Sequence, residues 1–185
     1  MRERNQRMDT TAQVDLLQQH MMLFDGGDPK RIQHFIKVHR FAQMIGRMEH
    51  LDDHTQFLTE CAALVHDIGI RPAEEKYGAC NGKLQEQEGP AYARRMLEKV
   101  GLSQEDIERI CYLVGHHHTY THIDGVDYQI LVEADFLVNL YEDGSNQASI
   151  QSAYGSIFRT KSGKLLCRAM FGISPIPAWE DFMDE

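Results

Sequence analysis

Apolar residues recur at helical spacing through almost the whole chain, and no run alternates as a half-buried strand does. That pattern restricts a chain of 185 residues to helices packed on helices, in one domain long enough to bury a real core. Asp9 and Thr10 cap a first helix with Val14, Leu17, Met21 and Phe24 on its apolar face, and Gly26-Gly27 ends it. Asp28-Pro29 pairs a capping side chain with a first-turn proline, opening a second helix whose apolar face is Ile32, Phe35, Ile36, Val38, Ala42 and Ile45. Asp52 or Asp53 starts a third, with Phe57, Leu58, Cys61, Ala62, Leu64 and Val65 inward, and Gly69 with Pro72 terminates it. Residues 71–83, with Gly78, Asn81 and Gly82, read as an ordered loop or a broken short helix. Further helices are expected over 90–100, from the Ser103-Gln104-Glu105-Asp106 capping box through Val114, over about 128–141, and more weakly over 147–158 and 163–171.

Composition narrows the classes of partner. Hydrophobic content of 42% with 25% charged residues is that of a soluble globular protein. A net charge of -9 disfavours a broad nucleic-acid surface, because phosphate backbones need clustered Lys and Arg. It leaves room for a small phosphorylated substrate, since a metal ion can supply local positive charge. Cys61, Cys80, Cys111 and Cys167 stand singly without a CxxC pair, as free thiols do in a reducing compartment. No stretch approaches the roughly 18 apolar residues of a membrane span, and the basic N-terminus MRERNQRMDT lacks the apolar core of a signal peptide. The cytoplasm is the expected location. The acidic tail Glu180-Asp181-Phe182-Met183-Asp184-Glu185 reads as a solvated end.

Four places set metal-binding side chains on or beside apolar helical faces: His34, the pair His66-Asp67, the run His116-His117-His118, and Asp135. An aspartate in the setting Val132-Glu133-Ala134-Asp135-Phe136-Leu137 is costly to bury unless it is paired, hydrogen-bonded or bound to a metal. Adjacent helical residues point about 100° apart, so His66 and Asp67 can converge on one ion only at a helix end, where Gly69 places them. Imidazoles and carboxylates delivered by separate helices are a common way to build a metal site in an α-domain.

The order His34 … His66-Asp67 … Asp135 resembles the H…HD…D signature of the HD-domain superfamily of metal-dependent phosphohydrolases. Ala62-Ala63-Leu64-Val65-His66-Asp67-Ile68-Gly69 is similar to that family's central AALLHDIG motif, and Glu133-Ala134-Asp135 before Leu137 to its last ligand motif. The similarity covers roughly residues 28–143, within a single HD-like domain of residues 1–185 on which C-terminal helices in 144–185 pack. It implies an all-α helical bundle in which His34, His66, Asp67 and Asp135 hold a divalent ion (Fe, Mn, Co, Ni or Mg), with Asp67 also catalytic. His39 competes with His34 as first ligand; the spacing of His34 to Val38 and Ala42 fits the family pattern.

Many members hold a second ion through two more histidines. One of His116, His117 and His118 fits the second of these, Val114 pointing to His117. No histidine stands where the first is expected. Gln85-Glu86-Gln87-Glu88 precedes Gly89-Pro90 there, so Glu86 or Glu88 either replaces the imidazole or is a solvated acid at a helix N-terminus. Arg71, Lys76 and Lys83 are candidate phosphate contacts or solvated loop cations. Asn139, one turn beyond Asp135, is a candidate to orient a ligand or touch substrate, or is a packing amide. The implied activity is hydrolysis of a nucleotide or another small phosphate ester. The alternatives are a di-iron oxygenase and a non-catalytic metal- or nucleotide-binding module.

Overall fold

The protein is described from a computed structural model covering residues 9–176 and 178. The N-terminal basic run up to residue 8 and the acidic tail lie outside the described residues. Among those residues the secondary structure is nine helices and no strand: α1 (Thr10–Phe24), α2 (Pro29–Met48), α3 (Asp53–Val65), α4 (Ile70–Tyr77), α5 (Gly82–Val100), α6 (Gln104–Val114), α7 (Val126–Glu142), α8 (Gln147–Ser156) and α9 (Lys161–Phe171). The all-α expectation holds.

The caps show why the helices begin where they do. Asp9 accepts from the amide of Ala12, Asp28 from Arg31, and Asp52 from His54 and Thr55, each satisfying donors that an α-helix leaves unpaired in its first turn. Ser103 accepts from the Asp106 amide, while the Asp106 side chain takes a hydrogen bond from His54 Nε2 at 2.7 Å. The box therefore closes on one side and ties α6 to α3 on the other.

The chain departs from the sequence expectation between α3 and α6. Residues 71–83 are not a loop for most of their length: α4 is a short helix, and α5 begins at Gly82, eight residues before Pro90. Pro72 sits in the first turn of α4, where its missing N–H removes no helical bond. Asn81 caps α5 through the Leu84 amide, and Pro90 is carried inside the helix, held by packing on α4 and α6. Gly69 is not a left-handed helix stop, since its φ of -74° is ordinary helical backbone. It is a point of close approach. A Cβ there would lie 2.4 Å from the carbonyl oxygen of Gln85 and 2.9 Å from the amide of Gly89, so only glycine lets the turn after Asp67 press against α5.

The most extensive packing joins α2 to α3 and α7, with α3 also against α7, α6 and α1. Val38, Ala42, Ile45, Ala62, Leu64 and Leu137 lie fully buried among these helices. Each large aliphatic removed from water contributes roughly 1.5–3 kcal/mol. The three mutually packed helices α2, α3 and α7 carry His34, the turn with His66-Asp67 just past the end of α3, and Asp135, so the core fixes the spacing of the site. Helix α9 packs on α7, α2 and α8. Among the described residues no helix is long and apolar enough to cross a membrane, and the four cysteines are free thiols.

Candidate metal centre

His34 points inward from α2 and is 8% exposed; His66 and Asp135 are buried at 0% and 3%. Their donor atoms converge. His34 Nε2 lies 3.4 Å from His66 Nε2, 3.4 Å from Asp67 Oδ2 and 3.2 Å from Asp135 Oδ1. His66 Nε2 lies 3.4 Å from Asp67 Oδ2 and 3.5 Å from Asp135 Oδ1. Adjacent donors that bind one ion at about 2.1–2.4 Å stand roughly 3.0–3.5 Å apart, so these separations suit a shared cation.

The outer nitrogens fix the inner ones. His66 Nδ1 lies 2.9 Å from the carbonyl oxygen of Ala63, and His34 Nδ1 lies 3.0 Å from Glu142 Oε2. A carbonyl or carboxylate oxygen only accepts, so each Nδ1 carries a proton, and a ring that gives up its second proton to a metal ion turns the lone pair of Nε2 to the centre. Lys37 in turn pairs with the other oxygen of Glu142, which steadies the carboxylate behind His34. Two lone pairs and two carboxylates meeting at one point call for a cation.

A family model for the HD domain matches residues 31–149, well over half of the chain. The chain belongs to the HD domain family. Comparison with curated proteins gives no match. Among solved structures the chain is similar to a predicted HD superfamily hydrolase from an uncultured Thermotogales bacterium, at 23% identity over 88% of this chain and 84% of that one, with a TM-score of 0.58. That likeness is one of fold.

The electrostatics of the HD domain's centre point the same way. Burial would lower the pKa of His66, but the charge of Asp67 and the hydrogen bond donated to Asp135 override it and raise the imidazole to about 9. Burial would raise both carboxyls. His66 and His117 nevertheless hold Asp67 well below the usual carboxylate range, and His34 and His66 do the same for Asp135. The two carboxylates thus favour positive charge at this point, a proton on the rings or, in its place, a divalent cation.

A second group of donors shares Asp67. Its Oδ1 faces His117 Nε2 at 3.4 Å, and His117, 1% exposed, sits against the carbonyl oxygen of Val114 through Nδ1 at 2.8 Å. His117 Nε2 is therefore a buried nitrogen with no hydrogen-bond partner within reach, aimed at a carboxylate oxygen. His118 completes a group of three donors with Asp67 and His117. Its Nε2, however, lies 2.6 Å from Gln85 Oε1, and its Nδ1 lies 3.3 Å from the Tyr120 hydroxyl. Burial and the neighbouring His117 hold the pKa of His118 down to about 4, so this ring is neutral. His116 turns away, stacked on Tyr112 with ring centroids 4.2 Å apart.

The glutamates of 85–88 are engaged elsewhere. Glu86 Oε1 accepts from the His118 amide and the Thr119 hydroxyl, both at 3.0 Å, and so ties the turn that carries His117 to α5. Glu88 Oε1 is bound by Lys76 at 3.0 Å and the Tyr77 hydroxyl at 2.7 Å. The structure places Gln85, not either glutamate, against the second group of donors.

The cations fall differently from the sequence expectation too. Lys76 is paired with Glu88. Arg71 donates to the Phe24 carbonyl at 2.6 Å and to Glu75 at 3.0 Å. Lys83 is exposed on the first turn of α5. The cleft over the centre is bordered by Lys30 and Arg31, two residues of the first turn of α2 that no motif marks. Asn139 lines this cleft and donates to Asp135 Oδ1 at 2.8 Å, which orients that carboxylate.

His39 is held apart from the centre. Its Nε2 lies 3.1 Å from Glu60 Oε2, in a network that also takes in Gln43 and Gln56. His34→Ala is accordingly expected to lose bound metal while His39→Ala keeps it, measured by elemental analysis of each folded variant. The reverse result would move the first ligand to the other face of α2.

Proposed function

We propose that this HD domain is a metal-dependent phosphohydrolase acting on a nucleotide or another small phosphate ester. The observation that carries this reading is the convergence of His34, His66, Asp67 and Asp135 beside a cleft of about 350 Å³. The hydrolase description of the similar Thermotogales protein accords with it.

His34, His66, Asp67 and Asp135 would hold the ion, whether Fe, Mn, Co, Ni or Mg. Such an ion lowers the pKa of a bound water towards neutrality and polarises a phosphoryl oxygen. Asp67 divides its oxygens: Oδ2 faces the histidine pair, and Oδ1, turned to His117, would be free to accept a hydrogen bond from a water and orient it. Asn139 and Glu142 hold Asp135 and His34 in register, so the donors keep their spacing when substrate enters. Lys30 offers an ammonium at the cleft rim for the phosphate, because Arg31 is already bound by both oxygens of Glu74 at 2.7 Å. A second ion would take Asp67 Oδ1 and His117 Nε2, with His118 joining only after release from Gln85.

Protein purified without chelator is expected to hold at least one divalent ion per chain. It should release inorganic phosphate from members of a panel of nucleotides and small phosphate monoesters, and lose that activity after treatment with EDTA. Stoichiometric metal with no ester hydrolysed would leave a binding module. Two irons with consumption of dioxygen would replace the hydrolase by an oxygenase.

A further inference from the structure

Asp25 closes the C-terminus of α1 and lines the same cleft as His34, Asp67 and Asp135. The residue is 7% exposed, its oxygens remain open to the cleft, and among the described residues its carboxylate has no hydrogen bond and no ion pair. The fold does not account for it. A helix C-terminus already carries partial negative charge, so an anion there is disfavoured, and a buried carboxylate without a donor is costly. Burial pushes the Asp25 carboxyl up to about 6 against the pull of Arg31 and Arg71, with Asp28 and Asp67 adding to the rise.

The surroundings sharpen the point. Six carboxylates border the cleft: Asp25, Asp28, Asp67, Asp135, Glu142 and Asp143. Asp67 and Asp135 face His34 and His66, Glu142 is held by Lys37 and His34, and Asp28 caps α2 and contacts Arg31. Arg31 is committed to Glu74, which leaves Lys30 as the lining cation without an ion partner among the described residues. Among the described residues Asp25 and Asp143 are the lining carboxylates left without a cation, so this end of the cleft disfavours a group that is only an anion. It suits one that brings a positive charge of its own.

We propose that the substrate is a phosphate ester whose alcohol portion carries an ammonium group, and that Asp25 is the counter-ion of that group. The phosphate would sit over the metal centre and at Lys30, with the ammonium one step deeper, against the end of α1. Phe35 and Ile70, which also line the cleft, supply apolar wall for a short carbon chain between the two charges. This inference rests on the phosphohydrolase reading and narrows its substrate class.

Two probes with the same phosphate separate the cases: O-phosphoethanolamine, which has the ammonium, and ethyl phosphate, which lacks it. Metal-loaded wild-type protein is expected to bind the first at least about tenfold more tightly in calorimetry, the size of a charged hydrogen bond in a partly buried site. Asp25→Asn should lose that preference, binding O-phosphoethanolamine about tenfold more weakly and ethyl phosphate no more weakly than before, since a negative charge has gone. Asp25→Glu, which keeps the charge, should retain a preference. Asp25→Asn should also unfold no lower than wild type and hold the same metal; a lower unfolding temperature or lost metal would make Asp25 a structural or ligating residue and overturn the proposal. Equal binding of both esters by wild type would overturn the proposal alone. Failure of the metal-loaded protein to bind either one would likewise overturn the proposal, whereas the phosphohydrolase reading falls only if no member of the nucleotide and ester panel is hydrolysed.

Discussion

Asp67→Ala is expected to empty the metal centre and to lower ester hydrolysis by at least about 1000-fold, roughly 4 kcal/mol of barrier. Asp67 is the one residue that faces both groups of donors, through Oδ2 to His34 and His66 and through Oδ1 to His117. Without it Asp135 alone would balance two rings and an ion in a buried site, and His117 would lose the atom it points to. Asp67→Asn keeps the shape and one oxygen, so it should weaken the site less than alanine does. Elemental analysis and equilibrium dialysis measure the loss, with circular dichroism showing that the helices remain. A second readout follows from linkage: an ion at about 100 times its Kd stabilises wild type by about 2.7 kcal/mol, or roughly 5–11 °C in a chain of this size. The alanine variant should gain nothing from added metal. Stoichiometric metal in folded Asp67→Ala would place the ion elsewhere and remove the basis of the proposed function.

How much of this could be read from the sequence depended on how local each signal is. Helices α1, α2, α3 and α6 are written in short-range features, an apolar period and a capping Asp or Ser within four residues of the first turn. Helix α4 and the first half of α5 were obscured by Pro72, Gly82 and Pro90, residues that break helices in general but stand here at a first turn, at a capped start and under tertiary packing. His34, His66, Asp67 and Asp135 stood out because each is a polar residue on an apolar face, and their order resembled a family pattern. Gln85 against His118, Glu142 behind His34 and the bare carboxylate of Asp25 carry no such mark. Their roles come from residues tens of positions away, with 33 between Gln85 and His118 and 108 between His34 and Glu142. The glutamates beside Gln85 were the nearer guess by chemistry, yet the helix turns Glu86 to the His118 amide and Glu88 to Lys76.

Glu133 is the clearest case of a residue whose importance lies outside its own motif, and its replacement by alanine should be the largest stability defect away from the metal. It is fully buried on α7, two residues before Asp135. Its Oε1 accepts from the amides of Arg159 at 2.5 Å and Thr160 at 2.9 Å, and from Gln129 at 2.8 Å; its Oε2 takes the Thr160 hydroxyl at 2.5 Å. Thr160 is the cap of α9 and accepts in turn from the Gly163 amide, so one carboxylate fastens the start of α9 to α7. Gly163 permits the approach, since a Cβ there would lie 1.9 Å from Glu133 Oε2. Glu133→Ala would leave two backbone amides and a hydroxyl without acceptors in a dry site and open a cavity, a cost of about 3–5 kcal/mol. Thermal unfolding should fall by roughly 6–20 °C. Glu133→Gln fills the same space and keeps one acceptor oxygen, so it should fall less. Because the defect lies in the attachment of α9, the alanine variant should still bind metal at temperatures below its transition. A shift of only a degree or two would mean that α9 is held to α7 by its apolar contacts, with the buried carboxylate adding little.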